Sequence, residues 1–236
     1  LRYDPRYRAA VSAVREGRIG AVRLVHARRN SGRGATERYG TTTSLPWHVS
    51  VHDIDAILAA TGSRVSEVTA RATPAHPGSS GHWDALGALF TLDNDVPVIL
   101  ESAWVLPSAM RSAIDSRLEV VGADGVVEVA GLDEGLRVVD GGGFEFPDVL
   151  RYQDDAGAGP GGALVEELNH FVDVCRGGGD ESAELERAIH VTEVVAALES
   201  SLAHGSTVTI GGTPPTQSTA PQRLNRPGHQ GSSPCS

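Results

Sequence analysis

A chain of 236 residues with 40% hydrophobic and 21% charged residues has the composition of a soluble globular protein with a real core. Its net charge of −10 excludes a general nucleic-acid binder, which would present a basic face to phosphates. No apolar run approaches the roughly 20 residues that span a bilayer.

Two cysteines, Cys175 and Cys235, make neither a disulfide framework nor a zinc-ribbon spacing. With no export signal, the expected compartment is the reducing cytoplasm. The charge is uneven. Residues 1–38 hold 10 arginines against Asp4, Glu16 and Glu37, a net +7, so the remainder carries −17. All 20 basic residues are arginine. Any chemistry that needs a lysine must find it outside this chain. The sequence starts at Leu1 rather than Met, and the simplest reading is a fragment whose N-terminal part is absent.

In chain order, DPRYRAAVSAVREGRIG predicts a helix with Asp4 as N-cap, Pro5 in the first turn and Gly17 as the stop. Tyr7, Ala10, Val11 and Val14 fall on its core face. Residues 21–30, AVRLVHARRN, alternate as a strand, and SGRGATERYGTTTSLPW reads as a long loop. VSVHDIDAILAATG predicts a helix with Val51, Ile54, Ile57 and Leu58 on one face and a stop at Gly62. Short strands are expected near 64–72, 85–92, 96–106, 114–121, 125–130 and 136–140, with turn signals such as DND and GADG between them. Two amphipathic helices follow, ALVEELNHFVDVCRGG and SAELERAIHVTEVVAALESSLAHG, and STVTI closes as a strand. This order describes an α+β domain over residues 1–211, a large, mostly antiparallel open sheet with helices on one face. Residues 212–236 are polar, rich in Pro, Ser and Thr, and expected to be a disordered tail.

Two motifs compete for attention. Gly157, Gly159 and Gly162 match G-x-G-x-x-G, but RYQDDA precedes them in place of an apolar strand, and Asp154 and Asp155 would repel phosphate. The run reads as a flexible linker. In SLPWHVSVHDID, His48 and His52 are four apart and Asp55 follows three later, so on one helix all three share a face. Three readings stay open: a proton-handling histidine, a metal site of His48, His52 and Asp55, or His52 and Asp53 capping and solvating the first turn.

The ordered set LRYDPRYRAAVSAVREGRIGAVRLVHARR, VHDIDAILAATG, LESAWVLP, RLEVVGADGVVEV, ELNHFVDVCRGG and STVTI resembles the C-terminal domain of the Gfo/Idh/MocA oxidoreductases, the group that contains inositol dehydrogenase and glucose–fructose oxidoreductase. The resemblance implies an upstream Rossmann domain that binds NAD or NADP and carries a catalytic lysine in a Glu-Lys-Pro motif. It implies a small hydroxy or carbonyl substrate such as a polyol or sugar, and assembly into a homodimer or homotetramer through the sheet. His52 stands at the family's catalytic histidine. His48 stands where inositol dehydrogenase-like members have an aspartate. The resemblance also points Arg2, Tyr3, Arg29 and Asn30 toward the substrate cleft, and it implies that this chain alone is inactive. Other readings are a non-catalytic oligomerisation or ligand-sensing module, and the metal-dependent enzyme.

Overall fold

Asp4 opens helix α1, Pro5–Arg15: its carboxylate accepts the backbone N–H of Arg6 at 2.8 Å, and Pro5 occupies the first turn. Tyr7, Ala10, Ala13 and Val14 are buried. Gly17 then turns the chain with φ +72°, a conformation side-chain-bearing residues avoid. The structure is a computed structural model. It describes residues 1–77, 79, 81–107, 109, 114–130, 162–178 and 182–211, with backbone alone for residue 183 and for strand segments at 138–140, 143–145, 153–154 and 159–160.

Strand β1 runs from Val22 to Gly32 and is followed by α2, Arg33–Tyr39. The expected loop after residue 30 is therefore corrected. The strand continues two residues, and seven residues of the supposed loop are helical. Thr36 anchors that helix by donating its hydroxyl to the Trp104 carbonyl at 3.2 Å, a tertiary contact with no local signature. A π-helical turn, Pro46–Ser50, runs directly into α3, Val51–Thr61. The latter ends at Gly62, with φ +70° and its N–H on the Leu58 carbonyl.

Strands β2 (Val65–Pro74), β3 (Trp83–Leu92), β4 (Pro97–Leu106), β5 (Ile114–Gly122) and β6 (Val126–Ala130) fall within a few residues of their expected bounds. Short pairs β7 (Val138–Asp140) with β8 (Gly143–Glu145), and β9 (Gln153–Asp154) with β10 (Gly159–Pro160), stand apart from the main sheet. Helices α4 (Ala163–Cys175) and α5 (Ser182–His204) lead to β11 (Val208–Thr209). The main sheet has seven strands in the order β11-β2-β3-β4-β1-β5-β6, and its one parallel pair is β1 with β4. This is the expected α+β architecture, a mostly antiparallel open sheet with helices. Of the G-x-G-x-x-G match, Gly157 lies outside the described residues, Gly159 is in β10 and Gly162 precedes α4. Residues 212–236 also lie outside them.

Alternation along the strands separates the two faces. Val25 and Ala27 of β1, Leu86 and Phe90 of β3, Val98, Leu100 and Trp104 of β4, and Leu118 and Val120 of β5 are buried. Ile54, Ile57 and Leu58 of α3 and Val194, Val195 and Leu198 of α5 join them in one core. Each fully buried large aliphatic side chain contributes about 1.5–3 kcal/mol. The other face carries Leu89 and Ile99, exposed register partners on β3 and β4. Among the described residues no helix is long and apolar enough to cross a membrane.

Candidate functional site

The π-helical turn decides where the two histidines point. The Val51 N–H reaches back five residues to the Pro46 carbonyl, so the helix begins before His48 and continues unbroken through His52. Such turns concentrate at functional sites. Both imidazoles line one cleft of about 620 Å³, walled by the N-terminal segment, the end of β1, the start of α3 and the facing parts of α4 and α5.

His48 lies on an aromatic shelf. Its ring centroid is 4.6 Å from Tyr39 and 6.2 Å from Trp104. Dehydration there holds its pKa below the usual 6.5. The preceding residue is tied to α5: the Trp47 indole N–H donates to Glu199 at 2.9 Å, and the Ser44 hydroxyl donates to the same carboxylate. His52 is exposed to solvent on one side and flanked by the cleft walls on the other. Dehydration by those walls first, and the Arg29 guanidinium second, hold its pKa down to about 4, with Asp55 opposing. Neither imidazole has a hydrogen-bond partner within the described residues.

The remaining predicted residues divide. Arg2 and Tyr3 line the cleft. Arg2 donates to Asp55 at 2.9 Å and pairs with Glu184 at 2.9 Å, while the Tyr3 hydroxyl meets His170 Nδ1 at 2.6 Å. Arg29 also lines the cleft, but its Nε and Nη2 bind the two oxygens of Asp53 at 2.6 and 3.1 Å, and Nη2 donates to the Tyr7 hydroxyl at 3.3 Å. Asn30, one residue on, points to the opposite face of the sheet, where its amide donates to Glu101 at 2.7 Å. It is not among the cleft-lining residues.

Asp53 does not cap the helix. It is fully buried, and no side chain caps α3. Full burial pushes its carboxyl upward and Arg29 pulls it back; because both oxygens accept a guanidinium N–H, the pair is ionic. For the metal reading, Asp55 is the required carboxylate. Its oxygens face Arg2 at 2.9 Å and Arg187 at 3.5 Å, cations that any metal would have to displace. Among the described residues no group of three or more His, Cys, Asp or Glu is arranged to hold a metal.

Sequence reasoning read Asp53 only as a cap and missed its pairing with Arg29, and it missed Tyr39 and the α4 and α5 residues Glu167 and Thr192 that line the cleft. One signal was available for Asp53. The alternation Val25, Ala27, Arg29 puts a cation on the core face, and a buried cation demands a carboxylate.

The chain thus presents an open, mostly antiparallel sheet with helices and a two-histidine cleft beside the end of β1. The model of the GFO/IDH/MocA C-terminal domain matches residues 7–128, and the chain belongs to that family. No curated protein sequence matches it. Among solved structures it is similar to scyllo-inositol dehydrogenase from Lactobacillus casei with bound NAD(H) and scyllo-inositol, at 22% identity and TM-score 0.69, over 89% of this chain and 63% of that one. It is also similar to myo-inositol 2-dehydrogenase from Lactobacillus plantarum, at 21% identity and TM-score 0.68, over 89% and 62%. A third is a myo-inositol dehydrogenase from Corynebacterium glutamicum, at 18% identity and TM-score 0.67, over 90% and 63%. At these identities the likeness is one of fold. The chain spans less than two thirds of the length of each.

Proposed function

We propose that this chain is the substrate domain of an NAD(P)-dependent oxidoreductase acting on a polyol, sugar or related hydroxy compound, with His52 taking up the substrate's hydroxyl proton. One observation carries the reading: His48 and His52 face the same cleft with their ring nitrogens unpartnered among the described residues. A neutral imidazole with a free nitrogen is a proton acceptor, and a second one beside it is a hydrogen-bonding group for a hydroxyl.

The charge around the cleft favours an uncharged substrate. Among the described residues Arg2 and Arg29 of the cleft wall, and Arg187 next to them, are each paired with carboxylates, so no arginine there is left unpaired to attract a phosphate or carboxylate ligand. The same balance bears on the cofactor. These residues do not fit a dinucleotide pyrophosphate, which needs free cations or helix amides. NAD or NADP is therefore assigned mainly to a domain outside this chain, together with the lysine that the family uses. Oxidation of a hydroxyl releases a hydride and a proton, and this chain's share is the proton. His52 accepts it, and the nearby Asp55 carboxylate favours the resulting imidazolium. His48, stacked on Tyr39, stays neutral and orients the hydroxyl.

The proposed domain comprises residues 1–211. The Leu89–Ile99 pair, exposed among the described residues on the other sheet face, supports assembly of copies through the sheet.

The test uses the intact protein, with reduction of NAD or NADP followed on a panel of polyols and sugars. His52→Gln is expected to lower kcat by about 10²–10⁴ with little change in KM. Unchanged turnover on every hydroxy compound that the wild type oxidises would sink the reading.

A further inference from the structure

Arg29 occupies a position on β1 that alternation assigns to the core, between Ala27 and Ser31. Arg29 is only 5% exposed, and its partner Asp53 is wholly buried. Replacing such a pair by well-packed apolar residues is often neutral or stabilising, so stability alone does not account for it. Its orientation does suggest a role. Arg29 lines the cleft beside His52, whereas Asp53, the next residue along α3 from His52, faces inward and is not part of the cleft wall.

We propose that Arg29 and Asp53 are a positioning pair for His52, an internal ion dipole whose cationic end meets the cleft and biases the imidazole toward its neutral, proton-accepting form. The role rests on His52 being the proton acceptor. Because the guanidinium is neutralised behind the wall by Asp53, it exerts this bias without offering the cleft a free cation that would capture anions.

The other charged groups facing His52 do not substitute for it. His48 sits one turn before on the same helical run, and Asp55 three residues later. Asp55 is itself engaged by Arg2 from the N-terminal segment and Arg187 from α5, which blunts its pull on a proton. The N-terminal segment adds the Leu1 amino group and α4 adds Glu167, which oppose one another. Of the two arginines that line the cleft, Arg2 and Arg29, only Arg29 is held by a wholly buried carboxylate.

The test is a histidine titration of the 236-residue chain by NMR, the His52 ring signals being assigned by their loss in His52→Gln. Wild-type His52 is expected to titrate below the ordinary 6.5. A midpoint at or above that value overturns the proposal whatever the variants do. In Arg29→Met/Asp53→Leu, which removes both charges and retains bulk, the His52 midpoint is expected to rise by about one unit. An unchanged midpoint in the folded double variant overturns the proposal. Should that variant not fold, Arg29→Lys is read instead. Its ammonium loses the two-pronged grip and draws back, a smaller rise is expected, and an unchanged midpoint again overturns it. The titration is independent of turnover: a normal response with unimpaired His52→Gln activity sinks the catalytic reading, and full loss of activity with no response sinks the pair.

Discussion

Ser50 and Ser102 meet hydroxyl to hydroxyl at 2.9 Å, both wholly buried, and so fasten the end of the π-helical turn to the middle of β4. This contact lies between His48 and His52 in the chain and sets the rotation of the helical run that carries both. Removing one hydroxyl leaves the other buried without its partner. Ser50→Ala and Ser102→Ala are each expected to cost about 1–3 kcal/mol in urea unfolding, and the double variant less than the sum. Strict additivity would show that the two hydroxyls are not coupled.

Stability should fall on acidification through the histidines of the cleft. In the unfolded chain His52 titrates near 6.5, and in the folded chain at about 4. Between those values the unfolded chain binds a proton that the folded one refuses. Stability conferred by the neutral ring is therefore present above about 6.5, is lost as pH drops toward 4, and changes no further below. His48 acts in the same direction. His52→Gln should flatten the dependence of the urea midpoint on pH across this window. An identical slope in wild type and variant would refute the assignment to His52.

Glu199 clasps the segment that leads into the site, holding Ser44 and the Trp47 indole together. Trp47 is already 38% exposed, so releasing it costs little burial. Glu199→Ala is expected to lower stability by about 1 kcal/mol and to shift the Trp47 fluorescence to longer wavelength, with Trp47→Phe identifying that component. No spectral change would mean that the clasp does not hold the indole.

His190 joins α5 to the sheet edge. Its Nε2 accepts the Val65 backbone N–H at 2.9 Å, which leaves the proton on Nδ1 to be donated to Glu193 at 2.8 Å. The ring is 2% exposed, so no water can replace it. His190→Phe keeps the volume and removes the acceptor. It is expected to cost about 1–3 kcal/mol and to speed hydrogen exchange at the Val65 amide. Unaltered exchange there would show that the bond is not limiting.

Much of the fold was legible because its signals are local. Asp4 and Pro5 mark a helix start, Gly17 and Gly62 mark reversals that need positive φ, and runs of apolar residues between turn signals mark β2 to β6. The candidate site was legible in part. His48 and His52 were found by spacing. Arg2, Tyr3 and Arg29 do border the cleft, while Asn30 turns away because neighbours on a strand face opposite sides. Helix α2 was read as loop because what holds it is Thr36 on the Trp104 carbonyl, 68 residues distant in sequence.

The sequence by itself determined most of the elements, their order and the pair of histidines, since caps, turns and hydrophobic periods act over a few residues. Only the tertiary structure decided what each charge does. The two arginines that looked available for a ligand, Arg2 and Arg29, are spent on Asp55, Glu184 and Asp53, contacts that bridge separate elements and cannot be seen from spacing. It also decided that the His52 pKa is held down, because the cleft walls around its ring and the Arg29 guanidinium come together only after β1, α3 and the later helices have met.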